Sequence, residues 1–289
     1  MKYMTFNSSC AYAGVANMLE HYGVDVEDRE IALAMGLPYL FACEGGRYAA
    51  GPMLQTADWF HLYLLPRGFL MTETKVDRGA VGEFLKTVSC GMLGIAIPTG
   101  GRHAVVYTGR NGGRYCFINN RRRISSEPEV LLLTEEELAA GLGSTAVIAT
   151  IERTKPQPME MAGYFEASIE VLEKLKEEIS AFCGIERSAR ELAEARDRLF
   201  RAIFLDAVTM LELIGEEELR SRLVVFQRSL TDLIREGKPQ LLQNRISIEG
   251  VESAIDDYIQ LIRRRNGDCG SVSGEGMRHA GEKLSGGRM

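Results

Sequence analysis

The sequence predicts an α+β domain, with helices packed on an antiparallel sheet, followed by an all-α helical bundle. Three observations support this prediction. Apolar residues recur mainly at helical spacing over residues 1–90, whereas residues 91–152 contain short β-branched and aromatic segments bounded by glycines. Residues 159–265 again show only helical spacing. Helices followed by an antiparallel sheet are typical of α+β domains.

Four helices are predicted before the sheet. The first spans residues 9–23, with apolar side chains on one face and Gly23 at its end. The other three are expected at residues 28–36, 53–65 and 77–88, and Asp77 is the expected N-cap of the last. Between them, the glycine-rich segment 42–52 is expected to be a loop.

The predicted sheet contains four strands, at residues 91–97, 103–109, 114–119 and 145–152. The second and third form a hairpin, for which Asn111-Gly112 is a favourable turn. Before the last strand, Thr134 and Glu137 have the spacing of a capping box, which predicts a short helix that ends near Gly141.

Two prolines, Pro156 and Pro158, divide the chain because they disfavour a helix and extend the backbone. We therefore expect a first domain over residues 1–154 and an antiparallel helical bundle over residues 159–265. The bundle helices are predicted at residues 159–183, 186–214, 216–236 and 247–265. Residues 266–289 are rich in glycine and serine and are expected to be a flexible tail.

Composition excludes several classes of protein. The 289 residues carry a formal net charge of −6, and the pI of about 5.5 is too low for a typical nucleic-acid-binding protein. No apolar run has the length of a membrane helix, and the N-terminus lacks the apolar core of a signal peptide. The six scattered cysteines are typical of reduced thiols, so we expect a cytoplasmic protein. No cluster of His, Cys, Asp or Glu has the spacing of metal ligands, so we expect no metal, and we expect no cofactor either.

Cys10 is the candidate nucleophile. It lies at the start of a predicted helix, directly after Asn7-Ser8-Ser9. Backbone N–H groups at a helix N-terminus favour the thiolate, and they can also hold a developing oxyanion. The alternative is that Cys10 is a small buried hydrophobic residue, which is our interpretation of the other five cysteines.

His103 is the candidate general base, because it begins a predicted strand directly after Gly100-Gly101. A neutral imidazole at this place can take the Cys10 proton, or pair as an imidazolium with the thiolate. His61, in the third predicted helix, is the alternative base. Alternatively, His103 is a surface histidine whose hydrogen bonds are satisfied, and it has no catalytic role.

Asn119 and Asn120 are the candidates for orienting the imidazole. They end the strand that pairs with the His103 strand, and an amide oxygen there can accept a hydrogen bond from the ring N–H. Side chains alternate along a strand, so only one of the two can face the site. We favour Asn119, although the hairpin register that decides between them is not fixed by the sequence. Alternatively, both asparagines belong to a turn.

The order of these residues resembles the papain-like cysteine peptidase superfamily. Within it, the similarity is to the double-glycine (bacteriocin-processing) peptidase-like group and to the N-terminal domain of the butirosin-biosynthesis acyltransferase group, both bacterial. The motifs are Cys10-Ala11-Tyr12-Ala13, the segment from His103 to Gly109, and Phe117-Ile118-Asn119-Asn120, with His21-Tyr22-Gly23 ending the first helix as in the second group. The resemblance covers about residues 1–152.

The sequence departs from the family pattern at two positions. Peptidases of this type usually carry a glutamine several residues before the cysteine, which donates to the oxyanion, but here Met4 lies six residues before Cys10 and no glutamine precedes it. Asn7 is the candidate substitute, and Thr5 or the backbone alone are the alternatives. The more common aspartate of the family is an asparagine here.

The resemblance implies an enzyme that transfers an acyl group through a thioester on Cys10. The reaction is then either hydrolysis of a peptide-like amide or transfer from an acyl-carrier thioester to an amine. The alternative is a non-catalytic binding or regulatory protein with the same fold. The expected partner is a peptide or acyl-carrier substrate, without nucleic acid or membrane, and the helical bundle offers a surface for homo-oligomerisation.

Overall fold

A computed structural model describes residues 1–96, 102–121, 129–236, 240–241 and 246–275. Two features predicted from the sequence lie outside these residues: the pair Gly100-Gly101 before His103, and residues 276–289 of the predicted tail.

The described residues form ten α-helices and ten β-strands. The helices are α1 (Cys10–Glu20), α2 (Asp28–Ala34), α3 (Ala57–Leu64), α4 (Val81–Thr87), α5 (Glu135–Ala140), α6 (Ala162–Cys183), α7 (Ala189–Ala195), α8 (Ala207–Ile214), α9 (Glu217–Glu236) and α10 (Ile248–Glu275). The strands are β1 (Phe41–Glu44), β2 (Arg47–Ala50), β3 (Phe69–Asp77), β4 (Gly91–Ala96), β5 (Arg102–Asn111), β6 (Arg114–Asn119), β7 (Glu129–Leu133), β8 (Thr145–Arg153), β9 (Glu186–Arg187) and β10 (Gln240–Leu241).

Six strands form one sheet in the order β3-β8-β4-β5-β6-β7, in which neighbouring strands run antiparallel. The predicted α+β class is therefore confirmed, and the four predicted strands correspond to β4, β5, β6 and β8. The hairpin turn between β5 and β6 differs by one residue from the prediction. Asn111 ends β5, and the turn residues are Gly112 and Gly113, with φ angles of 56° and 83° that glycine adopts readily.

One face of this sheet packs against α4 and α5. Its hydrophobic cluster includes, among others, Leu93, Ile95, Val105, Tyr107, Tyr115 and Phe117 from the strands, and Val81, Leu85 and Leu138 from the two helices. Each fully buried side chain of this size contributes about 1.5–3 kcal/mol through removal from water. The predicted N-terminus of α4 is wrong, because Asp77 ends β3 and the helix begins four residues later.

Several strands were absent from the sequence prediction. β3 and β7 are the two edges of the sheet, and polar residues on β3 (Thr72, Glu73 and Lys75) are at least partly exposed there, which hides the alternation of a half-buried strand. β1 and β2 replace the predicted loop at residues 42–52. They form a hairpin around Gly45 and Gly46, whose φ angles are 57° and 74°.

The chain divides into two compact units. The sheet unit contains Met1–Pro38, Ala50–Met159 and Asp206–Gly215, and the helical unit contains Tyr39–Ala49, Glu160–Leu205 and the described residues from Glu216 onward. The units differ from the predicted domains, 1–154 and 159–265, in two segments. Tyr39–Ala49 belongs to the helical unit, and Asp206–Gly215 belongs to the sheet unit.

Specific contacts account for both exchanges. In the sheet unit, a Cβ atom on Gly51 would lie 2.5 Å from Met210 of α8, and Arg29 donates a hydrogen bond to Leu213 O at 3.4 Å. In the helical unit, Phe41 N of β1 donates to Ser168 Oγ of α6 at 3.0 Å. Such contacts between distant parts of the chain leave no local pattern in the sequence.

The helical unit contains α6, α7, α9 and α10 with the two small sheets β1-β2 and β9-β10. The buried residues of α6 follow the predicted helical spacing: Phe165, Ser168, Leu172, Leu175, Ile179 and Cys183. Two π-helical turns, Arg196–Phe200 and Ala202–Asp206, join α7 to α8. The prediction of a flexible tail from residue 266 is wrong for its first part, because α10 continues to Glu275.

Candidate active site

Cys10 is the first residue of α1. Ser9 is the N-cap residue, but its hydroxyl donates to Phe6 O at 2.8 Å and makes no capping hydrogen bond to the helix. Ser8, just before it, has a φ angle of 61°, an uncommon conformation for a residue with a side chain. The first N–H groups of a helix have no carbonyl acceptor within the helix. In α1 the Ser9 side chain does not cap them, and they lie at the same helix end as the partly exposed Cys10 thiol.

Gly14, one turn after Cys10, lets α1 lie close to the sheet. A Cβ atom at this position would lie 2.5 Å from Met92 Sδ of β4 and 3.4 Å from Val106 of β5. Because a separation of 2.5 Å is far below van der Waals contact, a larger residue would displace the Met92 side chain or the helix. This close approach, on the sheet face opposite to the α4–α5 cluster, brings the N-terminus of α1 to β4 and β5.

His103 is the second residue of β5, as predicted for a histidine at a strand start. Val105, two residues further along and on the same face, is the register partner of Asn119 on β6. His103 and Asn119 are consequently diagonal neighbours on one face of the hairpin, the face of Val105 and the α4–α5 cluster, whereas α1 packs against the opposite face.

A hydrogen bond joins these two side chains, with His103 Nδ1 3.2 Å from Asn119 Oδ1. The Asn119 amide nitrogen donates to Glu129 Oε1 at 2.7 Å, so the amide oxygen is the atom that accepts from the ring N–H. With the proton on Nδ1, the unprotonated nitrogen of neutral His103 is Nε2, which is free to act as a base. Asn119 is only 1% exposed, so its amide has no bulk water as an alternative partner.

Asn120 has a different environment. Its amide nitrogen donates to Lys2 O, which ties the end of the hairpin to the N-terminal segment, and the side chain is fully buried. Met4 N donates to Arg121 O in the same connection. Of the two asparagines, the one that contacts His103 is Asn119.

Cys10 and His103 line one cleft of about 250 Å³. Three consecutive residues of β5, from Arg102 to Ala104, line it. Because successive side chains of a strand point to opposite faces, the cleft takes its lining from both faces of the sheet at the start of β5, where His103 lies. The structure gives no hydrogen bond between the thiol and the imidazole within the described residues, and catalytic contacts are commonly loose before substrate binds. Gly94 and Ala149 add small residues to the lining, which leaves room for a substrate.

Gln55, which sequence reasoning missed, also lines the cleft. Its amide nitrogen donates to Pro52 O, and the preceding residue, Leu54, accepts a 2.5 Å hydrogen bond from the buried Tyr12 hydroxyl. Because Tyr12 lies two residues after Cys10, this bond fixes the Gln55 segment to the nucleophile's own helix. Gln55 lies in an irregular segment before α3, so the helix predicted from residue 53 begins later than expected, at Ala57. The sequence gives no local signal for the role of Gln55.

Two further charged residues line the cleft, Glu73 on β3 and Arg102 on β5. Glu73 accepts from Ala57 N at 3.2 Å, and Arg102 donates to Gly94 O at 2.8 Å. Among the described residues, neither side chain takes part in an ion pair, and both contact the backbone instead.

Asn7 and His61 do not lie in the cleft. Asn7 lines a second cleft with Thr5 and Arg29, apart from the one that Cys10 lines, so its predicted role as oxyanion donor finds no support in this placement. His61 Nε2 lies 2.9 Å from Met71 O and 3.3 Å from Met71 N, which occupies the ring with the backbone of β3. This placement leaves His103 as the candidate base.

Burial, complete for Cys183 and partial for Cys90, disfavours the thiolate form of two other cysteines. It raises the pKa of Cys90 to about 11 and that of Cys183 to about 12, because a desolvated thiol resists ionisation. At neutral pH both are therefore thiols, which are poor nucleophiles.

Neither a metal site nor a membrane span occurs in the part of the chain that the structure describes. No group of three or more His, Cys, Asp or Glu side chains there is arranged to hold a metal ion. No helix among these residues is both long and apolar enough to cross a bilayer.

Comparison with known proteins finds similar solved structures but no family. No family model matches the chain, and neither does any curated protein. The peptidase domain of Streptococcus ComA, described as a bifunctional ABC transporter involved in a quorum-sensing pathway, is 14% identical with a TM-score of 0.33, over 52% of this chain and 96% of its own. A putative C39-like peptidase from Bacillus anthracis is 14% identical with a TM-score of 0.32, over 53% of this chain and 92% of its own. At such values, neither structure assigns an activity to this chain.

Proposed function

We propose that this protein is a papain-like cysteine hydrolase that cleaves a peptide amide through a thioester on Cys10. The observation that supports the proposal is the shared cleft. A cysteine at a helix N-terminus and a histidine oriented by Asn119 line the same cavity, although they come from distant parts of the chain. These are the parts of a cysteine nucleophile, its general base and the group that orients the base.

In the proposed reaction, Cys10 Sγ attacks the substrate carbonyl carbon while His103 Nε2 takes the thiol proton. The tetrahedral intermediate collapses, the C–N bond breaks, and His103 returns the proton to the leaving amine. A water molecule then attacks the thioester, with His103 as the base for its proton. The C–S bond breaks, which releases the carboxylic acid and restores the thiol. Asn119 keeps the Nδ1 proton in place, so Nε2 faces the reaction throughout.

Two donors are proposed for the oxyanion. One is the backbone N–H of Cys10, which has no intrahelical acceptor at the first position of α1. The other is the Gln55 side-chain amide, in the role that the family gives to a glutamine before the cysteine. One donor of this kind is typically worth about 10²–10³ in rate.

Access of water favours hydrolysis over transfer to an amine. Cys10 and His103 are both partly exposed, and Val147 on the cleft lining is 50% exposed. A thioester formed in such a cleft meets water at high concentration, whereas a transferase has to exclude it. Transfer from an acyl-carrier thioester remains the alternative outcome of the experiment below.

The test is site-resolved labelling with iodoacetamide at pH 6, with His103→Ala and, as a matched control, the exposed His21→Ala. We expect Cys10 to react at least about tenfold faster than the other thiols, since the thiolate is the reactive form. His103→Ala should abolish this advantage and His21→Ala should keep it. Equal, slow labelling of all six cysteines would show that the protein is not catalytic.

A second step separates hydrolase from transferase. Peptides and acyl thioesters are offered to the protein, and mass spectrometry detects the acyl group on Cys10. Release to water with peptide substrates supports the proposal, whereas release only to added amines identifies a transferase.

A further inference from the structure

The orientation of the Asn119 amide determines whether a hydrogen-bond acceptor or a donor faces the His103 ring. An asparagine amide has an acceptor end and a donor end, and rotation by 180° exchanges them with little change in shape. With Oδ1 toward the ring, the amide accepts the Nδ1 proton and leaves Nε2 free. With Nδ2 toward the ring, the amide would favour the other tautomer, in which Nε2 carries the proton and cannot act as a base.

Glu129 lies in position to fix this choice. It is the register partner of Asn119 across β6 and β7, and its Oε1 accepts from Asn119 Nδ2 at 2.7 Å. An ionised carboxylate has no proton to donate. It can therefore bind only the nitrogen end of the amide, and the oxygen end is left for His103.

Arg121 keeps that carboxylate ionised. Its guanidinium donates to the same Oε1 atom and forms an ion pair with it. The hydrogen bond from Arg121, and then the one from Asn119, hold the pKa of Glu129 below its usual value. Because the shift is downward, Glu129 remains an acceptor across the pH range in which a histidine base works.

We propose that Glu129 is a positioning residue that sets the orientation of the Asn119 amide, and through it the tautomer of His103. This inference rests on the proposed function, since it assigns a role to a residue behind the Cys10–His103–Asn119 group. The chain of contacts runs from Arg121 through Glu129 and Asn119 to the imidazole.

The test exchanges the donor and acceptor properties of residue 129. Glu129→Gln keeps an acceptor oxygen, whereas Glu129→Lys offers only donors and would attract the oxygen end of Asn119. Each change at residue 129 is made in two backgrounds, one with the native Asn119 and one with Asn119→Asp. The second background is informative because a carboxylate presents an oxygen to His103 in either orientation. The readout is the rate of Cys10 alkylation at pH 6, which needs no substrate, and Glu152→Lys on β8 is the control for a charge reversal on an exposed strand residue.

With Asn119 present, we expect the Glu129→Lys variant to be alkylated about tenfold more slowly than the Glu129→Gln variant, the equivalent of roughly one hydrogen bond. With Asn119→Asp, the two variants should agree to within about twofold, because orientation no longer matters. Glu152→Lys should leave the rate unchanged.

Three results would overturn the inference. The first is that Glu129→Lys and Glu129→Gln give the same rate of Cys10 alkylation with Asn119 present, and the second is that Glu129→Lys slows alkylation equally with Asn119 and with Asn119→Asp. The third is that Cys10 does not react when Asn119→Asp is combined with Glu129→Gln. The second would mean that Glu129 acts only on stability. Failure of the proposed function would give a different result. Cys10 labelling would then be slow in the native protein already, and His103→Ala would not change its rate.

Discussion

His103 and Asn119 are joined by a hydrogen bond between neighbouring antiparallel strands, with Nδ1 and Oδ1 3.2 Å apart. The pairing of Val105 with Asn119 produces this contact, since it places His103 and Asn119 on one face of the hairpin. The predictions below follow from this register, from the cleft beside it and from the burial of particular polar groups.

Substitution of Asn119 should affect the reactivity of Cys10, whereas substitution of Asn120 should affect stability. Asn119→Ala removes the acceptor for the His103 ring and should slow Cys10 alkylation at pH 6 by about tenfold or more, because the tautomer is no longer fixed. Asn120→Ala removes the bond to Lys2 O and should lower the free energy of unfolding by about 1–2 kcal/mol, with little change in alkylation. Parallel alkylation kinetics and urea unfolding test both. The reverse pattern would assign the orienting role to Asn120.

Gln55→Ala should distinguish oxyanion stabilisation from thiol activation. Alkylation of Cys10 forms no oxyanion, so its rate should stay within about twofold of the native protein. Hydrolysis of a peptide substrate should fall by about 10²-fold, as expected for the loss of one oxyanion donor. An equal decrease in both rates would mean that Gln55 supports the site structurally.

Cys90 should show the pH dependence of a partly buried thiol whose pKa is raised. With a pKa of about 11, about one molecule in a thousand carries the thiolate at pH 8. Because the shift is upward, reactivity is lost below the raised pKa, and labelling should increase about tenfold for each pH unit between 8 and 10. Mass spectrometry after timed alkylation measures this. Rapid labelling of Cys90 at pH 8 would contradict the raised pKa of this thiol.

Asp28 should be important for stability. Its fully buried carboxylate accepts from Thr5 N at 2.8 Å, Thr5 Oγ1 at 2.5 Å and Arg29 N at 2.7 Å. Asp28→Ala leaves these donors unpaired and should lower the free energy of unfolding by about 3 kcal/mol. The control is Asp25→Ala, since Asp25 is 90% exposed in its ion pair with Lys2 and its removal should leave the urea midpoint almost unchanged. Equal midpoints in urea for the two variants would contradict the prediction.

Local patterns in the sequence predicted much of the site. Cys10 begins a helix and His103 lies at the start of a strand, as expected from the spacing of apolar residues and from the β-branched segment that follows the histidine. The capping box at Thr134 and Glu137 was also predicted and is confirmed. These features depend on neighbours within a few residues, so the sequence contains them directly.

Only the tertiary structure decided which residues meet. The hairpin register selects Asn119 over Asn120, and a one-residue shift would have reversed that choice. Gln55, Glu73 and Glu129 reach the cleft or its supporting contacts from an irregular segment, β3 and β7, through pairings between distant residues.

The sequence by itself thus determined the α+β class, the helical C-terminal region and the two residues proposed to react. The tertiary structure decided how His103 is oriented, which polar groups surround Cys10 and where the two compact units exchange segments. The physical reason is that periodicity and capping act within one or two turns of a helix or strand. Strand register and the close approach of α1 at Gly14, by contrast, are set by packing across the whole sheet.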